Sequence, residues 1–236
     1  MWSAPVWRKH PDVDAWECQV AEVAAGGAAA EKVALARGLA PFVNEGRYIE
    51  IDLPGLTLAN LYLPKGGLPA ELQIPGRMRD KPDGGAKYER KQKFLASFAR
   101  QLARTRKAAK SKGNEFLLMG DLNVAHQNFD VTNWRSNGKT DGFLPEEREW
   151  FGEQVSPRTL VDVVRRLHGD KPGPNSWWSW AGQAYSKDVG WRIDYHLASP
   201  GLARAARSYR VDSEWDVDGV ATRMSDHAAV VVEYAV

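Results

Sequence analysis

From Tyr48 onward the chain alternates. In RYIEIDL, Ile49, Ile51 and Leu53 occupy every second position against Tyr48, Glu50 and Asp52, the period of a half-buried strand. Pro54-Gly55 interrupts the run and LTLANLYL resumes it, so the two predict a β-hairpin closed by a short turn, with Asn60 and Tyr62 on one face. A polar stretch, PKGGLPAELQIPGRMRDKPDGG, leads into AKYERKQKFLASFARQLARTRKAAK, whose Leu95, Phe98 and Leu102 line one stripe of a helix. Arg104, Arg106, Lys107 and Lys110 near its C-terminal end complement the helix dipole.

After the turn SKGN, the run FLLMGDLNVAH predicts a buried strand that ends abruptly in Asp121 and Asn123. PEEREWFGEQV and LVDVVRRLHG predict two helices, the second capped by Gly169. RIDYHLAS sets Ile193, Tyr195 and Leu197 against Arg192, Asp194 and His196, and AAVVVEYAV is an apolar closing strand. Residues 1–45 show no clear period, and their Ala/Gly-rich half predicts at most one short strand near VALA. Strands in pairs interleaved with helices predict an α/β fold of sheet layers flanked by helices rather than a βαβ repeat.

The length of 236 residues, 43% of them hydrophobic, is enough for one sizeable domain. Lys and Arg total 32 against 30 Asp and Glu, so no field of one sign covers the molecule and composition alone does not imply nucleic-acid binding. The single cysteine, Cys18, excludes an internal disulfide framework and points to a reducing compartment, the cytosol by default. No basic and apolar leader opens the chain, and no uncharged apolar run reaches the roughly 18 residues of a membrane span. A soluble, unexported protein without a membrane partner is therefore expected. The 10 Trp are many, because a buried indole N–H needs a partner.

Polar groups cluster at strand ends: Asp121 with Asn123, Asp194 in RIDYHL, Asp226 with His227 in SDHAAVVV, and Tyr62. Each alone is an ordinary turn, cap or packing residue. Together they suit one chemistry. A hard cation such as Mg²⁺ takes oxygen ligands, a carboxylate can accept a proton from attacking water, and a His beside an Asp can stabilise charge on a phosphoryl oxygen. The combination points to metal-assisted phosphodiester hydrolysis.

The motifs GDLN, GFLPEEREW, SWWSW followed by GWRIDYHLAS, and SDHA occur in the order and approximate spacing of the exonuclease III family of apurinic/apyrimidinic endonucleases, within the endonuclease/exonuclease/phosphatase superfamily. The chain resembles that family from about Glu45 to Val236. The resemblance implies a four-layer fold, a sandwich of two β-sheets flanked by helices. It implies a monomeric DNA-repair hydrolase acting on double-stranded DNA at abasic sites or 3′ ends, with Mg²⁺ or Mn²⁺ as cofactor.

By the same resemblance Asp121 is the base that activates water, Asn123 its partner on the scissile phosphate, and Asp194 the carboxylate that orients His227. Tyr62 lies near the phosphate and leaving group. The metal is expected among Asp121, Asn123, Asp226 and His227. Arg47 and Arg135 are expected near the DNA backbone, and Lys65, Lys91, Lys93 and Lys187 are further candidate phosphate contacts. Trp177, Trp178, Trp180 and Trp191 fall on the loop that reaches the minor groove, with Trp178 and Trp191 assigned to DNA.

The chain departs from the family at its start. The Asn-Val-Asn-Gly-like and Gln-Glu motifs that help hold the metal are absent, and PDVDAWECQ matches the second only through Pro11, Asp12, Val13 and a displaced Glu17. Residues 1–45 are therefore read as a divergent or truncated segment, without the usual N-terminal strands, and 46–236 as the catalytic domain. Two alternatives stand beside a nuclease: a weak or inactive DNA-binding relative, and a phosphodiesterase of the superfamily with another substrate.

Overall fold

The computed structural model describes residues 6–10, 15–19, 35–76 and 81–235. Val33 and Ala34 of the expected VALA strand lie outside them. Where no period was readable, β1 (Val6–His10) and β2 (Ala15–Gln19) pair antiparallel, and Arg37–Glu45 forms a 3-10 helix that buries Leu39 and Phe42, three residues apart and so on one side.

The expected hairpin forms from β3 (Tyr48–Leu53) and β4 (Leu56–Leu61), with Leu53 opposite Leu56 across Pro54-Gly55. Helix α1 (Ala86–Ser111) then carries the chain back along the sheet, so that β5 (Glu115–Asp121) pairs parallel to β4. Leu95, Phe98 and Leu102 on the predicted stripe are each 1% exposed. Two helices follow, α2 (Trp134–Asn137) and α3 (Pro145–Gln154), the latter on the predicted PEEREWFGEQV.

LVDVVRRLHG, expected as one helix, splits in two. Val161 and Asp162 form the edge strand β6 (Val161–Asp162), and only α4 (Val163–His168) is helical. The reason is competition: β6 takes up the outer edge of β7 (Asp194–Ala198), and the Asp162 carboxylate accepts the Arg165 N–H at 3.0 Å, which starts the helix there. Gly169, with φ of 76°, closes it as expected. The chain ends with α5 (Pro200–Ala205), β8 (Ala206–Asp212), a small hairpin of β9 (Trp215–Val217) and β10 (Val220–Thr222), and β11 (Ala229–Tyr234).

The main sheet is five-stranded and mixed, in the order β3-β4-β5-β7-β6, while β8 and β11 form a second, antiparallel sheet. Alternation along the strands divides the core between the two faces of the main sheet. Leu61, Phe116, Leu118, Tyr195 and Leu197 meet Phe94, Leu95, Phe98 and Leu102 of α1 and Phe151 of α3 on one side. Leu117 and Ala198 meet Val163, Leu202 and Ala206, with Val232 and Tyr234 of β11, on the other. The fold is thus α/β with two sheets and flanking helices, the class read from the sequence. No helix among the described residues is long and apolar enough to cross a membrane.

Candidate active site

Register builds the site. β5 and β7 run antiparallel with Asp121 directly opposite Asp194, so two carboxylates that are remote in sequence become cross-strand neighbours. Like charges placed so are destabilising. The arrangement is nevertheless held tightly. Gly120 has φ of 124°, and a Cβ on it would sit 2.2 Å from the Leu61 carbonyl oxygen, so only glycine lets β5 approach β4 this closely before Asp121.

Past the strand the backbone folds over. Asn123 takes the left-handed conformation, φ 45°, its N–H donating to Asp121 Oδ1 at 2.8 Å and its side-chain Nδ2 to Asp121 Oδ2 at 2.8 Å. The same Nδ2 donates to the Leu63 carbonyl at 2.9 Å, while the Leu63 N–H donates to the Asp121 carbonyl at 2.8 Å. The exit of β4 and the end of β5 are laced together.

His227 arrives from the other sheet. The segment before β11 bridges Trp177, with the Trp178 N–H donating to the Asp226 carbonyl and the Ala228 N–H to the Ser176 carbonyl. This sets His227 Nδ1 3.0 Å from Asp194 Oδ2 and its Nε2 3.9 Å from Asp121 Oδ2. Ser176, fully buried, donates its hydroxyl to Asp194 Oδ2 at 2.6 Å and accepts the N–H groups of Ile193 and Asp194 at 3.1 Å each. Sequence reasoning missed Ser176. Its only signal is its place directly before the Trp-rich run.

Electrostatics follow from this geometry. Burial, then the facing charge of Asp194, pushes the Asp121 carboxyl up to about 7. Burial works against a charged His227, but the Asp194 hydrogen bond and the charges of Asp194, Asp121 and Asp226 outweigh it and raise the imidazole. One ring atom of His227 and one oxygen each of Asp121 and Asp194 lie within 4.8 Å of one another, a group able to hold a cation. Two facing carboxylates with a neighbouring carboxamide are the donors a hard divalent ion prefers, so the residues fit such an ion. His227 can join it only as a neutral ring, with the nitrogen not turned to Asp194 free to bind.

The outer residues divide. Asp226 points Oδ2 at the Trp177 indole N–H, 3.1 Å away; burial would raise its carboxyl, but that bond and the nearby His227 hold it low. Tyr62 is exposed, one residue before Leu63, with the Arg47 guanidinium 5.1 Å over its ring. Trp191 is half-buried against Trp177 and Phe143, and Arg135 lies over Trp134 at the surface. Two of the expected contacts lie inside the fold. Trp178 is only 6% exposed, its indole N–H donated to Asp188 at 2.8 Å, so its ring packs beneath the loop; Trp180 is the exposed one. Lys91 is 1% exposed and ion-paired with Glu147.

Comparison with known proteins places this arrangement in context. The model of the endonuclease/exonuclease/phosphatase family matches residues 32–227. An exodeoxyribonuclease of Streptococcus pneumoniae serotype 4 is 30% identical over 191 residues, 80% of this chain and 59% of that protein. A DNA-(apurinic or apyrimidinic site) endonuclease of Dictyostelium discoideum is 31% identical over 165 residues, 70% of this chain and 40% of that protein. The chain thus spans less than two thirds of the length of both. Among solved structures, an AP endonuclease from Archaeoglobus fulgidus superposes with a TM-score of 0.64 at 23% identity, covering 82% of this chain and 67% of that one, a likeness of fold.

Proposed function

The chain belongs to the endonuclease/exonuclease/phosphatase family and resembles its exonuclease III branch, and on that footing we propose that it hydrolyses phosphodiester bonds of double-stranded DNA, at abasic sites or 3′ ends, as a DNA-repair nuclease. Residues 46–236 are taken as the catalytic unit. The observation that carries the reading is the cross-strand pair Asp121 and Asp194 with His227 set between them.

The residues divide the work by their electrostatics. Asp121, at the end of β5 facing Asp194 and His227, is placed to accept a proton from water. His227, its Nδ1–H donated to Asp194, presents Nε2–H to a phosphoryl oxygen on which charge develops. Asp194 in turn is held by the Ser176 hydroxyl, which fixes the ring plane. Asn123, tied to both Asp121 and Leu63, keeps the carboxylate aimed, and Tyr62 with Arg47 offers polar contacts to the leaving strand. A divalent cation, Mg²⁺ or Mn²⁺, held by oxygens of the facing Asp121 and Asp194 and of Asn123, would supply Lewis-acid polarisation of the phosphate. Trp191, Trp180 and Arg135 are the proposed outer contacts to DNA.

The test is cleavage of a duplex bearing one abasic site, and of a duplex with a recessed 3′ end, with and without Mg²⁺. Metal-dependent cleavage that drops about 10³-fold or more in Asp121→Asn and in His227→Ala is expected. Cleavage persisting in both variants overturns the assignment of the site. Tight duplex binding without turnover in any divalent metal overturns the enzyme and leaves a DNA-binding relative.

A further inference from the structure

Beneath the catalytic turn lies a buried charged cluster that the proposed reaction leaves unused. Lys91, on α1 and 1% exposed, donates its ammonium to the backbone carbonyl of Asn123 at 2.9 Å and is ion-paired with Glu147 Oε1 at 2.7 Å and Asp141 Oδ1 at 3.5 Å. Of the three, only the Asn123 carbonyl accepts a hydrogen bond; Glu147 Oε1 and Asp141 Oδ1 stand at ion-pair distance and take no hydrogen bond. Glu147 is fully buried and accepts the Leu144 N–H with its second oxygen at the start of α3, so the cluster joins α1, α3 and the turn after β5. The segment after Tyr62 closes it from another side: a Cβ on Gly66 would lie 2.6 Å from Lys91 Cδ and 2.8 Å from Asp141 Oδ1.

A fold that needed only packing here would be better served by apolar side chains, since buried ion pairs are seldom worth their desolvation. What an apolar side chain cannot do is donate to the Asn123 carbonyl. That carbonyl belongs to Asn123, in the left-handed region at φ 45°, which asparagine adopts readily, so what the ammonium can add is the position of the turn rather than its conformation. Resting on the hydrolytic reading above, we propose that Lys91 is a positioning residue: its ammonium anchors the Asn123 carbonyl and thereby fixes the turn that sets Asn123 against Asp121 and Leu63. Glu147 and Asp141 hold that ammonium in place. Lys91 touches neither substrate nor metal in this scheme.

Two double variants separate anchoring from folding. Lys91→Met alone leaves the buried Glu147 carboxyl without its cation and is expected to lower the unfolding temperature. Lys91→Met/Glu147→Gln removes the buried pair and leaves only the more exposed Asp141, so it should recover most of the parent unfolding temperature while losing kcat on the abasic duplex about 10- to 100-fold with KM little changed. Lys91→Gln/Glu147→Gln keeps one N–H for the carbonyl and should return kcat to within about threefold of the parent. Amide hydrogen exchange at Ala125, whose N–H donates to Gly142, should quicken in the Met double variant and not in the Gln one.

Equal losses of kcat in both double variants, or a Met double variant with parent kcat and parent exchange at Ala125, overturn the proposal. If the parent itself fails to hydrolyse DNA, the hydrolytic reading falls. The exchange comparison then decides by itself whether Lys91 anchors the turn.

Discussion

Two clusters of buried charge lie a few residues apart and end in opposite electrostatic states. In one, Asp130 accepts from Arg192 Nε at 2.7 Å and from Arg165, while Asp162 takes both terminal nitrogens of Arg192 at 3.1 and 2.8 Å. Burial opposes the charge of Asp130, yet Arg192 and Arg165 overcome it and hold the carboxyl low. In the other, Asp121 faces a second carboxylate with a single imidazole between, and is pushed up to about 7. Similar residues give a frame in the first case and a poised group in the second. The difference is charge balance: two guanidinium groups meet two carboxylates in the frame, and only a cation from outside would balance the site.

The frame is where the largest effect is expected. Arg192→Met leaves Asp130 and Asp162 without their common partner and should cost about 3–5 kcal/mol, lowering the melting temperature by on the order of 10 °C. A fall of only about 2 °C would dissolve the contrast, because both clusters would then tolerate imbalance. At the site the corresponding change acts on rate. Asp194→Asn keeps the shape but removes the charge that orients His227, so hydrolysis should fall about 10²- to 10⁴-fold with the fold intact. Unchanged turnover would remove Asp194 from the machinery.

A third change should move stability the other way. The folded pKa of Asp121, about 7, lies above its ordinary value of 3.8, so the folded state binds more protons between those limits and loses stability as pH rises through that window. In chelator at pH 8, Asp121→Asn should therefore unfold a few degrees above the parent, on the order of 1–2 kcal/mol, with the two converging toward about pH 4. Added Mg²⁺ should raise the parent alone. Identical melting at pH 8 without metal would mean that the site is already balanced. The smallest effect belongs to Trp177→Phe, which frees the Asp226 carboxylate from its indole donor and should lower stability by about 1 kcal/mol or less in thermal unfolding.

Much of this was readable before the fold. The alternation of RYIEIDL and LTLANLYL across Pro-Gly reports a hairpin through local chemistry, and Leu95, Phe98 and Leu102 report the buried face of α1. LVDVVRRLHG misled because Val161 and Asp162 obey the edge of β7 rather than their own helical spacing. Lys91 misled for a related reason: a lysine in a charged helix reads as surface, and only the packing of α3 and the Asn123 turn onto α1 makes it interior. Trp178 and Trp180 cannot be told apart by type, though one is buried and the other exposed.

The sequence by itself determined that a strand would end in Asp121 and Asn123, that Asp226 and His227 would precede a closing strand, and that such groups suit phosphate chemistry, because those facts rest on side-chain type and local period. Only the tertiary structure decided that Asp121 stands opposite Asp194, that Ser176 holds Asp194, and that Lys91 reaches the Asn123 carbonyl. Each of these depends on strand register or on helix packing between distant segments. A slip of one residue would turn Asp194 to the other face of the sheet and leave Asp121 an ordinary carboxylate.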